Sequence, residues 1–309
     1  MSMLEEIAPN TNSTATTPEI IRSRKPISRF RLIVSRLRST PRFWVGIVGL
    51  GAIILWAIFG LVPNAWNATD LDVYNMGSSP TALHWFGTSD IGEDIYAQTI
   101  VGLRKSLIIG LLVGPMAAII AGVVGAVAGY LGGWWDKTII WFIDLLLVLP
   151  SLFLFILLSP IFKSLSWVAL IFLLAGFGWM VLARVIRTQT MSLRERDFIK
   201  AARFMGVDTW TIIRRHVLPN VSSLLIIDAT LGVGVAILSE TTLSFFGFGI
   251  QAPDVSLGTL LAAGQTAAGT RPWLFIFPAA ILVFTVLCAS LIGDALRDAV
   301  DPTSGVNRD

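Results

Sequence analysis

The ionisable residues most able to carry chemistry in this chain are three carboxylates that interrupt long apolar stretches: Asp144, Asp228 and Glu240. An ionisable group inside a bilayer costs at least ~2.5–3.5 kcal/mol on insertion scales, so such residues usually face a protein interior or an aqueous path. All three are therefore candidates to line a path for a solute. Asp144 and Asp228 can equally form structural hydrogen bonds between helices, the role we favour for Asp144.

Two other chemistries, one on the membrane aspartates and one on a loop histidine, are weaker interpretations. An intramembrane aspartyl protease would need a G-x-G-D context, which neither FIDLL around Asp144 nor IIDAT around Asp228 provides. A metal site would use His84 with the nearby carboxylates of Asp90, Glu93 and Asp94. One histidine among loop carboxylates is more often a solvated surface group, so we expect His84 at the surface and no metal site.

Several catalytic motifs are absent from the sequence. None of the five lysines follows a glycine, so the chain has no P-loop to hold the phosphates of ATP. It also lacks an H-E-x-x-H motif and a G-x-S-x-G motif. Cys288 is the only cysteine, which excludes an intrachain disulfide and a thiolate metal site. The sequence therefore predicts no catalytic residue, no bound cofactor and no bound metal.

The elements that must position the three carboxylates are membrane helices. Of 309 residues, 54% are hydrophobic and 14% are charged, whereas about a quarter of the residues in a soluble domain are charged. About twenty apolar residues cross a hydrocarbon core of about 30 Å. We therefore predict an all-α integral membrane protein with six transmembrane helices. The predicted spans are 43–62, 106–130, 138–158, 164–183, 221–243 and 272–293.

The distribution of basic residues predicts the orientation of these spans. Six spans place both termini on one side, and assigning that side to the cytoplasm leaves 19 of the 23 Lys and Arg residues inside. Eight of them lie in 22–42, where apolar residues recur at helical spacing. This segment is either a basic helix on an anionic leaflet or simply a basic flank. We predict that residues 1–21 form a disordered cytoplasmic tail. Residues 63–103 are predicted to be extracytoplasmic, and residues 297–309 to form a second cytoplasmic tail.

Small residues recur at every fourth position of the second predicted span. Gly110, Gly114, Ala118 and Gly122 form this row. Helices in lipid associate through close packing of such rows, so the row predicts a helix–helix contact. Its partner helix is not readable from the sequence.

The polar stretch between the fourth and fifth spans predicts two short cytoplasmic helices with small residues at the bend. Ser192 and Glu195 have capping-box spacing, so we expect a helix to begin there and to end at Gly206. Asp208 is the expected N-cap of the second helix, and Pro219 fits the first turn of the next span.

The spacing of Ala201-Ala202, Gly206 and Leu218-Pro219 resembles the EAA loop of permease subunits in ABC importers. Lys200 departs from the family's Glu and His216 from its Ile. Three further stretches, FGTSDIGEDI, SETTLSFFGFGIQAP and LIGDALRDAVDP, resemble segments of the peptide and nickel importer branch. The likeness extends over most of the chain, from about residue 86 to residue 302.

The resemblance implies a type I ABC importer permease fold, with residues 104–296 as its transmembrane domain and coupling helices between spans 4 and 5. It implies transport of di- or oligopeptides across a prokaryotic cytoplasmic membrane; nickel or another small solute is the alternative, and an ion-coupled carrier or channel a weaker one. The implied partners are a second permease, two ATPases or one fused double ATPase that bind ATP and Mg²⁺, an extracytoplasmic binding protein and membrane lipid, but no nucleic acid. The implied coupling residues are Ile199, Lys200, Ala201, Ala202, Gly206, Val207, Asp208, Trp210, Leu218 and Pro219.

Overall fold

A computed structural model describes residues 29–163 and 166–300; the predicted tail at 1–21 and most of the C-terminal tail lie outside these ranges. Within them the regular secondary structure is helical, as predicted. The α-helices are α1 (Arg29–Ser39), α2 (Pro41–Phe59), α3 (Ile95–Leu131), α4 (Gly133–Val148), α5 (Ser151–Lys163), α6 (Val168–Gly178), α7 (Met180–Arg194), α8 (Asp197–Phe204), α9 (Thr209–Ile212), α10 (Leu218–Phe245), α11 (Leu257–Ala267) and α12 (Trp273–Val300), with a π-helical turn at Ile213–Val217.

Four of the described helical segments are long and apolar enough to cross a membrane by themselves. They are α2, α3, α12 and the continuous segment Thr209–Phe245. Two more candidates are bent pairs: α4 with the first part of α5, at 84°, and α6 with α7, at 41°. The chain is therefore a multi-pass membrane protein with four to six spans, and the six predicted spans are the upper limit of that range.

Helix α3 is longer than the predicted second span. It begins at Ile95 and has 37 residues, which at 1.5 Å per residue is about 55 Å. Arg104 and Lys105, predicted to flank the span, lie within this helix. The Arg104 guanidinium hydrogen-bonds to backbone carbonyls at the end of α2, and Lys105 forms an ion pair with Asp254. Because these cations are satisfied by protein groups, the helix continues through them.

The predicted third span is two helices rather than one. Helix α4 ends at Val148, and α5 begins at Ser151 after Leu149 and Pro150. Proline has no backbone N–H and restricts the residue before it to an extended conformation, and Leu149 has φ −84° and ψ 127°. The apolar run continues through this break, so hydrophobicity alone did not reveal it.

The row of small residues on α3 packs against helices of this same chain. A Cβ added to Gly114 would lie 2.5 Å from the carbonyl oxygen of Ala229 on α10. A Cβ added to Gly129 would lie 2.5 Å from the carbonyl oxygen of Arg187 on α7. The glycines thus let three backbones approach closely, and α3 is the helix around which the others are arranged.

Helix α1 lies where the basic segment was predicted to be helical. Its Leu37 is buried in a small cluster with Ala295 and Ala299 of α12. The apolar side of α1 therefore packs at least partly on protein, next to the C-terminal end of α12.

Residues 60–94, which we call the cap, connect α2 to α3. Two isolated β-bridges, Leu71 with Glu93 and Thr88 with Asp94, hold the cap together. An aromatic cluster fixes it to the helices: the ring of Phe86 stacks on Phe277 of α12 with centroids 4.2 Å apart and also contacts Tyr96 of α3. The cap is thus a folded element fixed at both ends.

Candidate coupling surface and membrane carboxylates

The turn between α7 and α8 differs from the predicted capping box. Ser192 lies in the last turn of α7, because that helix is continuous from Met180, so the prediction that a helix begins at Ser192 is wrong. Helix α8 begins after Arg196, which makes no capping hydrogen bond through its side chain. Glu195 instead pairs with Arg194 at 3.6 Å and with Lys200 at 3.3 Å. These ion pairs give Lys200, the residue that departs from the EAA pattern, a partner within the chain.

Helix α8 has one face toward the protein and one toward solvent. Ile199 and Ala202 are buried in the main core cluster, where Ile212 and Ile213 also lie. Lys200 and Ala201 are exposed on the other face. The predicted small surface formed by Ala201, Ala202 and Gly206 is therefore divided, because Ala202 faces inward and leaves only the other two open.

Gly206 ends α8 and Asp208 begins the next helix, as the sequence predicted. Gly206 has φ +76°, and the N–H of Val207 donates to the carbonyl of Ala202 at 3.1 Å, as in a Schellman motif. The carboxylate of Asp208 accepts a hydrogen bond from the N–H of Thr211 at 2.9 Å. Hydrogen bonds from Thr211 hold the pKa of Asp208 below its ordinary value. The bend is therefore rigid at both ends.

The second short helix is joined directly to the span that follows it. Helix α9, which carries Trp210, continues through the π-helical turn into α10, and Pro219 lies in the first turn of α10 as predicted. His216 lies in the π turn, and its ring is 6.3 Å from the ring of Phe198 on α8. Trp210 and the following candidate span therefore belong to one continuous helical segment, Thr209–Phe245.

Three large apolar side chains project from the bend into solvent, and we call them the coupling tip. Phe204 is 91% exposed, Met205 76% and Trp210 52%. The sequence analysis included Trp210 but missed Phe204 and Met205. The available signal for Phe204 was its position on the side of α8 opposite the buried Ile199 and Ala202, whereas Met205 follows Ala202 by three residues and helical spacing gave no sign of its exposure. An exposed apolar group of this kind, surrounded by polar residues, is typical of a protein interaction site.

The carboxylates within the spans have different environments. Asp144 on α4 forms an ion pair with Arg184 on α7, and both side chains are about half exposed. Glu240 on α10 is fully buried and accepts hydrogen bonds from the hydroxyls of Ser106, at 2.9 Å, and Ser244, at 2.7 Å. Glu240 thereby links α10 to α3. Asp228 is half-buried, and no hydrogen bond or ion pair joins it to another side chain within 29–163 and 166–300.

His84 is buried, so the prediction of a solvated histidine is wrong. Its Nδ1 lies 2.8 Å from Asp94 and its Nε2 lies 3.2 Å from Asp72, and the ring packs on Trp66. The burial arises because the cap folds Asp72 and Asp94 onto opposite sides of the ring. Among the residues that the structure describes, no group of three His, Cys, Asp or Glu side chains is arranged to hold a metal ion.

The apolar helices and the carboxylates within them define a multi-pass membrane protein. A family model for the inner membrane component of binding-protein-dependent transport systems matches residues 118–305. The chain belongs to this family, which confirms the resemblance drawn from the sequence.

Relatives with similar sequences cover nearly the whole chain. The oligopeptide transport system permease protein OppC of Mycobacterium tuberculosis strain H37Rv is 50% identical over 283 residues, which cover 90% of this chain and 96% of that protein. The protein of the same name in Bacillus subtilis strain 168 is 32% identical, with 91% and 92% covered. A putative peptide permease protein of Brucella suis biovar 1 is 37% identical over 244 residues, with 78% and 80% covered.

Proposed function

We propose that this chain is one permease subunit of an ABC importer that moves di- or oligopeptides across the cytoplasmic membrane by alternating access. The names of its relatives support the substrate class, and the match extends over nearly the full length of the chain. The chain has no P-loop of its own, so energy must come from separate subunits.

The observation that carries this proposal is the coupling tip on a rigid support. Phe204 and Met205, at the end of α8, are 91% and 76% exposed, whereas Ile199 and Ala202 of α8 are buried in the core. Exposed apolar side chains on a helix whose other face is packed in the core can insert into a groove of another protein. The exposed coupling residues Lys200, Ala201 and Gly206 would border that groove, whereas Leu218 and Pro219 connect the contact to α10.

The partners follow from what the chain lacks. Two ATPase subunits, or one fused double ATPase, would bind ATP and Mg²⁺ themselves and would contact this chain at the coupling tip. A second, similar permease would complete the path, and an extracytoplasmic binding protein would deliver the peptide. The excess of Lys and Arg in 22–42 and in 194–215 supports cytoplasmic termini and a cytoplasmic coupling tip.

Alternating access needs a contact that differs between the two states of the complex. A partner shifts a conformational equilibrium only by its difference in affinity for the two states. Closure of the ATPases on ATP would move α8 and α9 as one body, because both are fixed in the same core cluster. The continuous segment Thr209–Phe245 would carry that movement into the membrane.

Purification from the native membrane in mild detergent tests the proposal. We expect two ATPases and a second multi-pass permease to purify with the chain, with hydrolysis stimulated by peptide in the presence of the binding protein. A chain that purifies alone and moves solute in vesicles without an ATPase would overturn the proposal. ATP hydrolysis that is stimulated by nickel but not by peptides would show that the transported solute is nickel rather than a peptide.

A further inference from the structure

Two ion pairs connect α4 to α7, and they differ sharply in exposure. The side chains of Asp136 and Arg187 are 14% and 27% exposed, as expected for a structural contact between helices. The side chains of Asp144 and Arg184 are 53% and 45% exposed. About half of the side-chain surface of Asp144 and Arg184 is therefore exposed on the outside of this chain.

Lipid is a poor neighbour for this open pair. Asp144 and Arg184 both lie in candidate spans, where an ionisable group facing hydrocarbon is costly. Such groups almost always face a bundle interior or a water-filled cavity. The exposed side of the pair is thus expected to face a polar space within the assembled transporter.

The break between α4 and α5 supports the same conclusion. Helix α4 ends at Val148, about one turn after Asp144, and Val148 is 79% exposed. Non-helical backbone at membrane depth is tolerated only where protein buries it or where it lines an aqueous cavity. The last carbonyls of α4 also lack partners within that helix and give this end a partial negative charge.

Helix α7 presents a polar stripe on the same side as Arg184. Thr188 and Ser192 follow Arg184 at intervals of four residues, so the three lie on one face, and all are exposed or half exposed. A helix with a polar stripe of this kind is suited to the wall of a path for a polar solute.

We propose that the Asp144–Arg184 pair is a transit site for the charged ends of the transported peptide; this rests on the proposed function. A free peptide carries an α-ammonium and an α-carboxylate. Asp144, with the terminal carbonyls of α4, receives the ammonium, and Arg184 receives the carboxylate through its planar guanidinium. When the peptide leaves, the two side chains pair again, so neither charge is left unpaired in the membrane.

The test compares peptides that differ only in their ends. The complete complex, with its ATPases and binding protein, is reconstituted in liposomes and supplied with one tripeptide in free, N-acetylated and C-amidated forms. Asp144→Asn is expected to reduce the preference for a free N-terminus by about tenfold, equivalent to ~1.4 kcal/mol, and to leave the preference for a free C-terminus unchanged. Arg184→Gln should have the opposite effect. The binding protein is common to all variants, so its own selectivity cancels when variant and wild-type ratios are compared.

Asp136→Asn is the matched control, because it breaks the more enclosed α4–α7 pair and should change neither ratio. Asp144→Glu keeps the charge and should keep the preference for a free N-terminus. Equal losses for all three peptides in Asp144→Asn would overturn the inference, since a structural bond or a lipid headgroup contact gives that result. So would failure of both neutral variants to assemble while Asp136→Asn assembles. A wild-type complex that moves none of the peptides would instead overturn the proposed function, and the transit site with it.

Discussion

Nδ1 of His84 lies 2.8 Å from Oδ2 of Asp94, and the other oxygen of that carboxylate accepts a hydrogen bond from the N–H of Ala97 at 2.7 Å. One carboxylate thus caps the first turn of α3 and holds the buried imidazole of the cap. Asp72 lies on the opposite side of the ring. Each ring nitrogen thus lies within hydrogen-bond distance of a different carboxylate. The cap and the central helix are therefore fixed to each other through one side chain.

Replacing this imidazole is expected to loosen the cap. His84→Gln leaves Asp72 and Asp94 facing each other without the imidazole that contacts both. Removing the hydrogen-bond partner of buried carboxylates costs about 1–3 kcal/mol, which corresponds to roughly ten- to a hundredfold faster hydrogen exchange if the cap opens locally. The measurement is exchange at the hydrogen-bonded amides of Thr88 and Ser89. Tyr74→Ala, at a side chain that is 94% exposed, is the control and should exchange like the wild type. Similar exchange in both variants would contradict this role of His84.

Acid is expected to weaken the cap through Asp72. The amide of Asn75, helped by His84 and the N–H of Tyr74, holds the pKa of Asp72 below its ordinary value of 3.8, although burial opposes this shift. A carboxyl group whose pKa is lowered on folding stabilises the fold above its unfolded pKa, and that stability is lost as the pH falls through the folded pKa. The contribution of Asp72 should thus be complete near pH 7 and decline below about pH 4. Asn75→Ala should move this loss to higher pH.

Limited proteolysis of the cap in vesicles, followed from neutral to acidic pH, measures this loss. If the cap becomes cleavable at the same pH in the wild type and in Asn75→Ala, the Asn75 amide does not determine the pH at which the cap opens. Asp72→Asn removes the titrating group and should lose the part of the pH dependence that Asp72 supplies.

Close packing of α3 on α10 predicts a large difference between two chemically identical substitutions. Gly114→Ala places a Cβ 2.5 Å from a backbone oxygen of α10, so the helices must separate. We expect a loss of about 1–3 kcal/mol and a lower Tm of the purified complex. At Gly176 an added Cβ meets no atom within 4 Å, so Gly176→Ala should stabilise α6 slightly, by up to ~1 kcal/mol. Equal Tm values for the two variants would show that the glycine row is not a close contact.

Substitutions on the two faces of α8 are expected to have different effects. Phe204→Asp changes an exposed member of the coupling tip, so it should release the ATPases while the Tm of the chain stays unchanged. Ala202→Trp overpacks a buried site near Ile212, so it should lower the Tm together with ATPase binding. Recovery of the ATPases after affinity purification, measured beside thermal unfolding, separates the two effects. Normal ATPase recovery with Phe204→Asp would exclude the tip as the contact.

Much of the fold could be predicted from the sequence because the signals for it are local. Apolar runs located the membrane helices, Gly206 and Asp208 marked the two sides of the coupling bend, and the row at Gly110 and Gly114 indicated a helix contact. Each signal depends on spacing along one element or on the backbone preference of one residue. The break at Pro150 was not predicted, because the hydrophobicity of an apolar segment does not show where the helix within it ends and changes direction.

The site itself depended on contacts between residues far apart in the chain. The pairing of Asp144 with Arg184 joins positions 40 residues apart, and that of Glu240 with Ser106 joins positions 134 apart. Local patterns also could not show that Ala202 faces the core or that His84 is enclosed by two carboxylates. The sequence by itself determined that apolar segments form the helices of a membrane protein and that the chain turns between Gly206 and Asp208. The tertiary structure alone decided which charges are paired, buried or left open, because burial and pairing depend on the neighbours that packing brings from distant segments.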